Sequence, residues 1–386
     1  MNTLTAFYDL PKEWEVVRLL DITHIFDGTH QTPQYTHHGV AFFSVENIAN
    51  NKPNKFISQQ DYLIATSKNK PEYNDILLTR IGAIGISKVV SWTYPFSIYV
   101  TLAVIKQSKY FNSYYLHYFI QSSFFQKELK DNSLLQAIPC KINMDKLKKC
   151  KVILPPLNEQ SAIANILSGL DRYLCALDAL ILKKEGVKKA LSFELLSQKK
   201  RLKGFNQAWQ RVRLGDIAEI KRGVRITKNE LDVFGKYPVV SGGVGFLGYT
   251  NNFNRYENTI TIAQYGTAGY VNFQKNKFWA NDVCFCIYPN KDIIKNIFLY
   301  YFLKVNQNYL YEISNRNATP CSISKDKILD FEIPLPPLNE QNAIANILSD
   351  LDNEIASLKN KKRQFENIKK ALNHDLMSAK IRVLEK

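Results

Sequence analysis

LPPLNEQSAIANILSGLD occupies residues 154–171, and LPPLNEQNAIANILSDLD occupies residues 335–352. The offset is 335 − 154 = 181 residues, and over 154–197 against 335–378 it gives 24 identities in 44 ungapped positions. Self-similarity of this kind marks one structural unit used twice. The same offset holds upstream, where AIPCKINMDKL from Ala137 matches ATPCSISKDKI from Ala318. Earlier still, WEVVRLLDI from Trp14 aligns with WQRVRLGDI from Trp209 at an offset of 195, so the middle of the first copy is 195 − 181 = 14 residues longer. Between the matching ends the copies diverge, with one faint echo. ILLTRIGAIG from Ile76 and ITIAQYGTAG from Ile260 share Gly82/Gly266 and Gly85/Gly269. Like ends around unlike middles suit a common framework that carries two different reading surfaces.

Each Pro-Pro ends a strand and opens a long helix. Asn158 and Asn339 suit the N-cap, and Glu159 and Glu340 suit the positive end of the helix dipole. The apolar residues then recur at spacings of four and three. In the first copy they are Ile163, Leu167, Leu170, Leu174, Leu177, Ile181, Val187, Leu191 and Leu195; in the second, Ile344, Leu348, Leu351, Ile355, Leu358, Phe365, Ile368, Leu372 and Leu376. A pattern sustained over about five heptads is a coiled-coil seam. About 38 residues at 1.5 Å each make a rod of ~57 Å. Ile181 corresponds to Lys362 and Lys184 to Phe365. A cation on a seam fixes register or partner, so the two helices are expected to pair with each other, antiparallel. The competing arrangement packs each helix on its own module.

Ahead of each helix the sequence is strand-rich. YPVVSGG, NTITIAQYG, YVNFQ and VCFCIYP are β-branched and aromatic runs punctuated by Gly and Asn. SYYLHYFIQSSFFQKEL from Ser113 and IFLYYFLKVNQNYLYEI from Ile297 have helical spacing. The fold class expected is α+β: two similar strand-rich domains separated by an antiparallel coiled coil of two long helices. The boundaries expected are 1–153 for the first domain, 154–203 for the first spacer helix, 204–334 for the second domain and 335–386 for the second helix.

Composition narrows the partner. The 386 residues carry 51 Lys+Arg against 35 Asp+Glu, a net charge of +16, which points to a polyanion, nucleic acid first and anionic membrane second. No apolar run reaches the ~18 residues that span a bilayer, and MNTLTAFYDLPKEWE lacks a basic-then-apolar leader. The expected location is therefore cytoplasmic, with no membrane partner. Six cysteines without a C-x-x-C pair, two of them alternating as Cys284 and Cys286, read as reduced and structural.

With PLPPLNEQNAIANILSDLD, its earlier copy and two divergent modules in view, the whole chain resembles the specificity subunit of type I restriction–modification enzymes. YPVVSGGVGFLGYT, NTITIAQYGTAGYVNF and FWANDVCF are similar to the target-recognition domains of that family. The resemblance implies that each module reads half of a bipartite, asymmetric sequence in double-stranded DNA. It implies that the helix pair acts as a ruler between the halves. It also implies docking of methyltransferase subunits, with motor-nuclease subunits able to join, and no chemistry in the chain itself.

The residues agree that no catalytic motif stands out. Gly243-Val-Gly245-Phe-Leu-Gly248 satisfies G-x-G-x-x-G, but it runs into YTNNFNRYENTITI, a turn and strand, and lacks the acid ~20 residues on that a dinucleotide site needs. No cofactor is expected. There is no P-loop and no Asn-Pro-Pro-aromatic tetrapeptide. His24, His30, His37 and His38 with Asp27 do not share a helix face and read as loop residues, so no metal is expected. Glu219-Ile-Lys221 and Glu128-Leu-Lys130 match half a nuclease motif that arises readily by chance. The alternative function is a free-standing DNA methyltransferase or nuclease with its own active site. A third is a coiled-coil adaptor whose modules bind protein, which leaves the charge excess without a purpose.

Phosphate contacts supply affinity and base-edge contacts supply discrimination. In the second module Lys221, Arg222 and Arg225 flank Gly223, where a guanidinium can meet phosphate or guanine. Asn315 and Arg316 precede the Ala318 repeat. Ser241, Gly242 and Gly243, and Gln264, Tyr265, Gly266 and Thr267, resemble the DNA-facing loops of the family, with Gln264 suited to adenine. In the first module the matching places are Arg80, Gly82, Lys88 and Gln136. The lysine-rich helix ends, around Lys199–Arg201 and Lys359–Arg363, are candidates for phosphate or a partner.

Overall fold

The computed structural model describes residues 10–50 and 53–383. Residues 1–9, which open the stretch read above for a leader, lie outside the described residues. The chain forms two compact units, Met1–Asp178 with Lys361–Lys386, and Ala179–Asn360.

The duplicated ends are sewn to each other inside each unit. Glu15–Arg18 pairs antiparallel with Lys151–Leu154, from Glu15↔Leu154 to Arg18↔Lys151. Gln210–Arg213 pairs in the same way with Glu332–Leu335. The start and finish of a module therefore meet immediately before its Pro-Pro, which is why those two segments are the ones that repeat. The middles build the sheets. In the first unit, Ile25–Asp27, Leu102–Ile105, Ile76–Thr79 and Ser87–Val89 form an antiparallel sheet in that order. A second sheet orders Tyr35–Thr36, Lys55–Ile57, Val40–Phe43 and Phe96–Ile98. In the second unit, Ala218–Arg222, Cys284–Pro289, Thr259–Ala263 and Val271–Gln274 form the matching sheet, beside a smaller one of Phe246–Thr250, Tyr237–Val240 and Trp279–Ala280. The four apolar runs read as strands are strands, and Ser113–Ile120, Ser123–Asp131, Asn296–Val305 and Gln307–Glu312 are the expected helices.

The long helices run Leu157–Leu196 and Leu338–Met377, 40 residues each. They begin one residue before the expected caps. Gln160 and Gln341 donate backbone N–H to Pro156 and Pro337 carbonyls, and their side chains return to Pro155 and Pro336 at 2.8 Å. Proline thus occupies the cap position, where its missing N–H costs nothing.

Antiparallel pairing is visible in both units. Lys369 meets Asp171 at 2.6 Å and Lys362 meets Asp178 at 2.7 Å in the first. Lys188 meets Asp352 at 2.5 Å and Lys359 meets Glu185 at 2.6 Å in the second. Phe365 packs on Tyr173 with ring centroids 4.7 Å apart. The seam differs from the expected one at Val187 and Ile368, which are exposed. From Ile181, steps of three, four and three reach Lys184, Lys188 and Leu191, so Val187 is one residue off register. The slot belongs to Lys188, as it belongs to Lys369 in the other copy.

Helix ends do something the periodicity did not resolve. Ile163 and Leu167 pack into the first unit's core, together with Leu376 and Met377 from the end of the other helix. Leu195 and Leu196 join Ile344 and Leu348 in the second core. Each module is therefore closed by the start of one helix and the end of the other. A buried carboxylate anchors each junction. Glu159 accepts from Trp14 Nε1 at 3.0 Å and from Arg382 at 2.7 and 3.0 Å. Glu340 accepts from Trp209 Nε1 at 2.9 Å and from Arg201 at 2.8 and 3.2 Å.

Candidate nucleic-acid interface

The second module's sheet positions one rim of loops. Where strand Thr259–Ala263 ends, Gln264 N–H donates to Val283 O, and Gln264 O accepts from Ile323 N–H, both at 2.9 Å. Tyr265 bridges Ser322, and Gly266, at φ +76°, donates to Cys321 O at 3.0 Å. Thr267 donates its N–H and Oγ1 to Gly242 O at 2.9 and 2.6 Å. A Cβ on Gly242 would sit 2.3 Å from Tyr265 O, so the two loops touch backbone to backbone. Asn281 Nδ2 donates to Ser241 Oγ at 3.2 Å, and Val224 N–H donates to Ala280 O at 2.8 Å. A Cβ on Gly223 would lie 2.1 Å from Asn281 O. Residues 222–225, 241–243, 264–267 and 315–316 are thereby gathered on one braced rim.

Their side chains have unequal roles. Arg222, Arg225, Gly243, Gly266, Thr267, Asn315 and Arg316 are exposed. Arg222 Nε reaches Asp282 O at 2.5 Å, and Arg316 lies over the Tyr311 ring, 5.4 Å from its centroid. Lys221 stands apart, its ammonium 3.1 Å from Glu219 and over the Tyr288 ring. Gln264 points inward: its Oε1 is buried without a partner. The glycine-rich run 243–248 is a hairpin turn leading into strand Phe246–Thr250, with no helix to receive a pyrophosphate.

The first module repeats the scheme. Arg80 is the counterpart of Gln264: its N–H donates to Thr101 O and its O accepts from Ile142 N–H, both at 2.9 Å. Gly82, at φ +82°, donates to Cys140 O at 2.8 Å, and Ile81 bridges Lys141. Gly85 and Gly269 also share positive φ, +94° and +87°, so the faint echo between the copies is a shared loop. Arg80, expected to face a ligand, is only 7% exposed. It donates to Val100 O at 2.8 Å, to Asp27 at 3.3 Å and to Ile142 O at 3.3 Å. Burial lowers its pKa, and the Asp27 carboxylate opposes that shift. Arg80 thus braces the loop from within, because a charge at the sheet's end needs acceptors. Lys88 is not on the rim. It lies over the Trp92 ring and lines a cleft with Tyr114, His117 and Asn165, and burial lowers its pKa. Gln136 is exposed on the hairpin tied to Gly82.

His24 pairs with Asn69 at 3.0 Å and His30 with Asp27 at 3.0 Å, separate contacts. Among the described residues no three His, Cys, Asp or Glu side chains gather as metal ligands, and no helix is long and apolar enough to cross a membrane. The sequence reading overlooked Gly28. It stands 195 residues before Gly223, and a Cβ there would meet Ile98 O at 2.1 Å. Aligning DITHIFDG with DIAEIKRG was the available signal.

In the second module the rim offers guanidinium, amide and hydroxyl groups on stiff loops, and the first module repeats its frame with different outward groups. Residues 11–185 and 206–367 match the family described as type I restriction modification DNA specificity domain, and the chain belongs to that family. A Methanocaldococcus jannaschii protein named as the MjaX type I restriction enzyme specificity subunit is 28% identical over 98% of this chain and 96% of its own length. The MjaVIII specificity subunit of the same organism is 25% identical over 97% and 94%. In fold, the chain is similar to the crystal structure of a type I restriction–modification S subunit from M. genitalium. The TM-score is 0.69 at 19% identity, covering 95% of this chain and 97% of that one.

Proposed function

We propose that this chain is a DNA-sequence-specificity subunit without catalytic activity of its own, acting in the cytoplasm within a methylation and restriction complex. Each module, 1–153 and 204–334, reads one half of a bipartite asymmetric target. The spacer segments, 154–203 and 335–386, hold the halves at a set separation. Methyltransferase subunits dock on the repeated frame, and motor-nuclease subunits can join. The observation that carries this reading is that one braced rim occurs twice while its outward side chains differ: Arg222, Arg225, Asn315 and Arg316 in the second module, Gln136 and its neighbours in the first. Base edges are read by such exposed groups, and affinity comes from phosphate neutralisation, which suits the charge of +16. The test exchanges residues 209–334 for the corresponding segment of another family member and maps methylated sites in cells that also supply the methyltransferase. One half of the recognised sequence changes and the other stays. A change in both halves, or in neither, rejects the modular reading.

A further inference from the structure

The same hairpin hangs from the glycine loop in both modules, and its tip has opposite chemistry in each. In the first module Leu134 and Lys141 pair through backbone hydrogen bonds of 2.7 and 3.3 Å. Cys140 O accepts from Gly82, and Cys140 Sγ donates to Gly82 O at 2.9 Å. In the second, Asn315 and Ser322 pair at 2.7 and 3.1 Å, and Cys321 O accepts from Gly266. The offset of 181 carries Leu134, Leu135, Gln136 and Ile138 onto Asn315, Arg316, Asn317 and Thr319. The first tip presents hydrocarbon: Leu134 is 49% exposed, Leu135 52% and Ile138 101%. A fully exposed isoleucine on a braced hairpin contributes nothing to a core. Arg80 behind it is consumed internally, and between Leu134 and Ile138 Gln136 is the one polar side chain.

Resting on the DNA-reading function above, we propose that the tip formed by Leu134, Leu135 and Ile138 reads a thymine of the first half-site through its C5-methyl group in the major groove. The thymine methyl is the apolar feature among base edges in that groove. A hydrocarbon tip gains by covering it and loses against the polar edge of cytosine or guanine. The second tip, with Asn315, Arg316 and Asn317, takes purine edges at the same place in its own half-site.

The experiment selects bound duplexes from a random library with the full chain, beside the Ile138→Thr and Leu135→Arg variants, which install the second module's residues. Both positions are exposed, so folding is retained, and circular dichroism verifies it. Wild type enriches a bipartite sequence with a fixed thymine in one half; the variants lose that thymine and keep the other half. Replacing the thymine by deoxyuridine, which removes only the methyl, weakens wild-type binding about fourfold, the value of one buried methyl. It leaves Leu135→Arg far less affected. If no sequence is enriched by wild type, the DNA-reading function itself fails. If a bipartite sequence is enriched but deoxyuridine binds as well as thymine, the tip proposal fails and the function stands. Loss of binding by the variants without a methyl effect assigns the tip to wedging between base steps instead, and also rejects methyl readout.

Discussion

Glu159 and Glu340 tie the start of each long helix to its module. Each sits almost fully buried at a helix start, holding an indole N–H from its module and a guanidinium from beyond the end of the other long helix. Removing one partner of a buried pair leaves the other uncompensated. Glu340→Ala is expected to cost about 3 kcal/mol in urea unfolding, and Glu340→Gln less, because the amide oxygen still accepts from Trp209. His117 makes a pH prediction. Its ring contacts Ser87 Oγ and Gln121, with Lys369 and Lys88 nearby and Asp171 opposing them. Burial foremost, then those two cations, lowers its pKa from 6.5 to about 4. Between those values the unfolded chain binds a proton that the folded chain does not. Stability therefore falls as pH drops from 6.5 toward 4 and changes no further from this source below it. Allowing for solvent at the ring's open edge, the loss is roughly 2 kcal/mol. Urea midpoints at pH 7 and pH 4.5 should differ more for wild type than for His117→Gln.

At the level of elements, the heptad pattern predicted two long helices and their mutual, antiparallel pairing. Its error lay at Val187 and Ile368, and the cause is physical. Lysines at Lys188 and Lys369 occupy the seam slots, burying their stems while their ammonium groups reach Asp352 and Asp171. A hydropathy pattern counts such a lysine as polar and moves the apolar slot to its neighbour. Ile368→Gln should leave stability within about 0.5 kcal/mol. Ile355→Ala, at a buried seam position, should cost about 3 kcal/mol. Chemical denaturation of the two variants separates seam from surface. The loops were legible in part. Glycine echoes located the rim, but that Arg80 and Gln264 turn inward followed from which backbone carbonyls and buried space surround them, information spread over residues 20 to 62 positions away.

Taken as one molecule, the chain exchanges helix ends between its two copies: Leu376 and Met377 complete the first core, and Leu195 and Leu196 the second. Under the proposed function, deleting one heptad from both helices shortens the separation by about 10 Å, or three base pairs. Methylation mapping should then report a shorter gap with both half-sites unchanged. DNA affinity should fall by about 10³ or more between 50 and 200 mM salt, as expected for a footprint of six or more phosphates; a binding titration across that range checks it. The amino-acid sequence alone determined the duplication, the module–helix–module–helix order, the strand and helix types and the family resemblance. These depend on local periodicity and on matches between nearby residues, which a linear string records. Only the tertiary structure decided which helix end closes which core, which carboxylate holds which tryptophan and arginine, and which basic residues face outward. Those outcomes depend on packing and desolvation among groups far apart in the chain, and no spacing rule along the sequence encodes them.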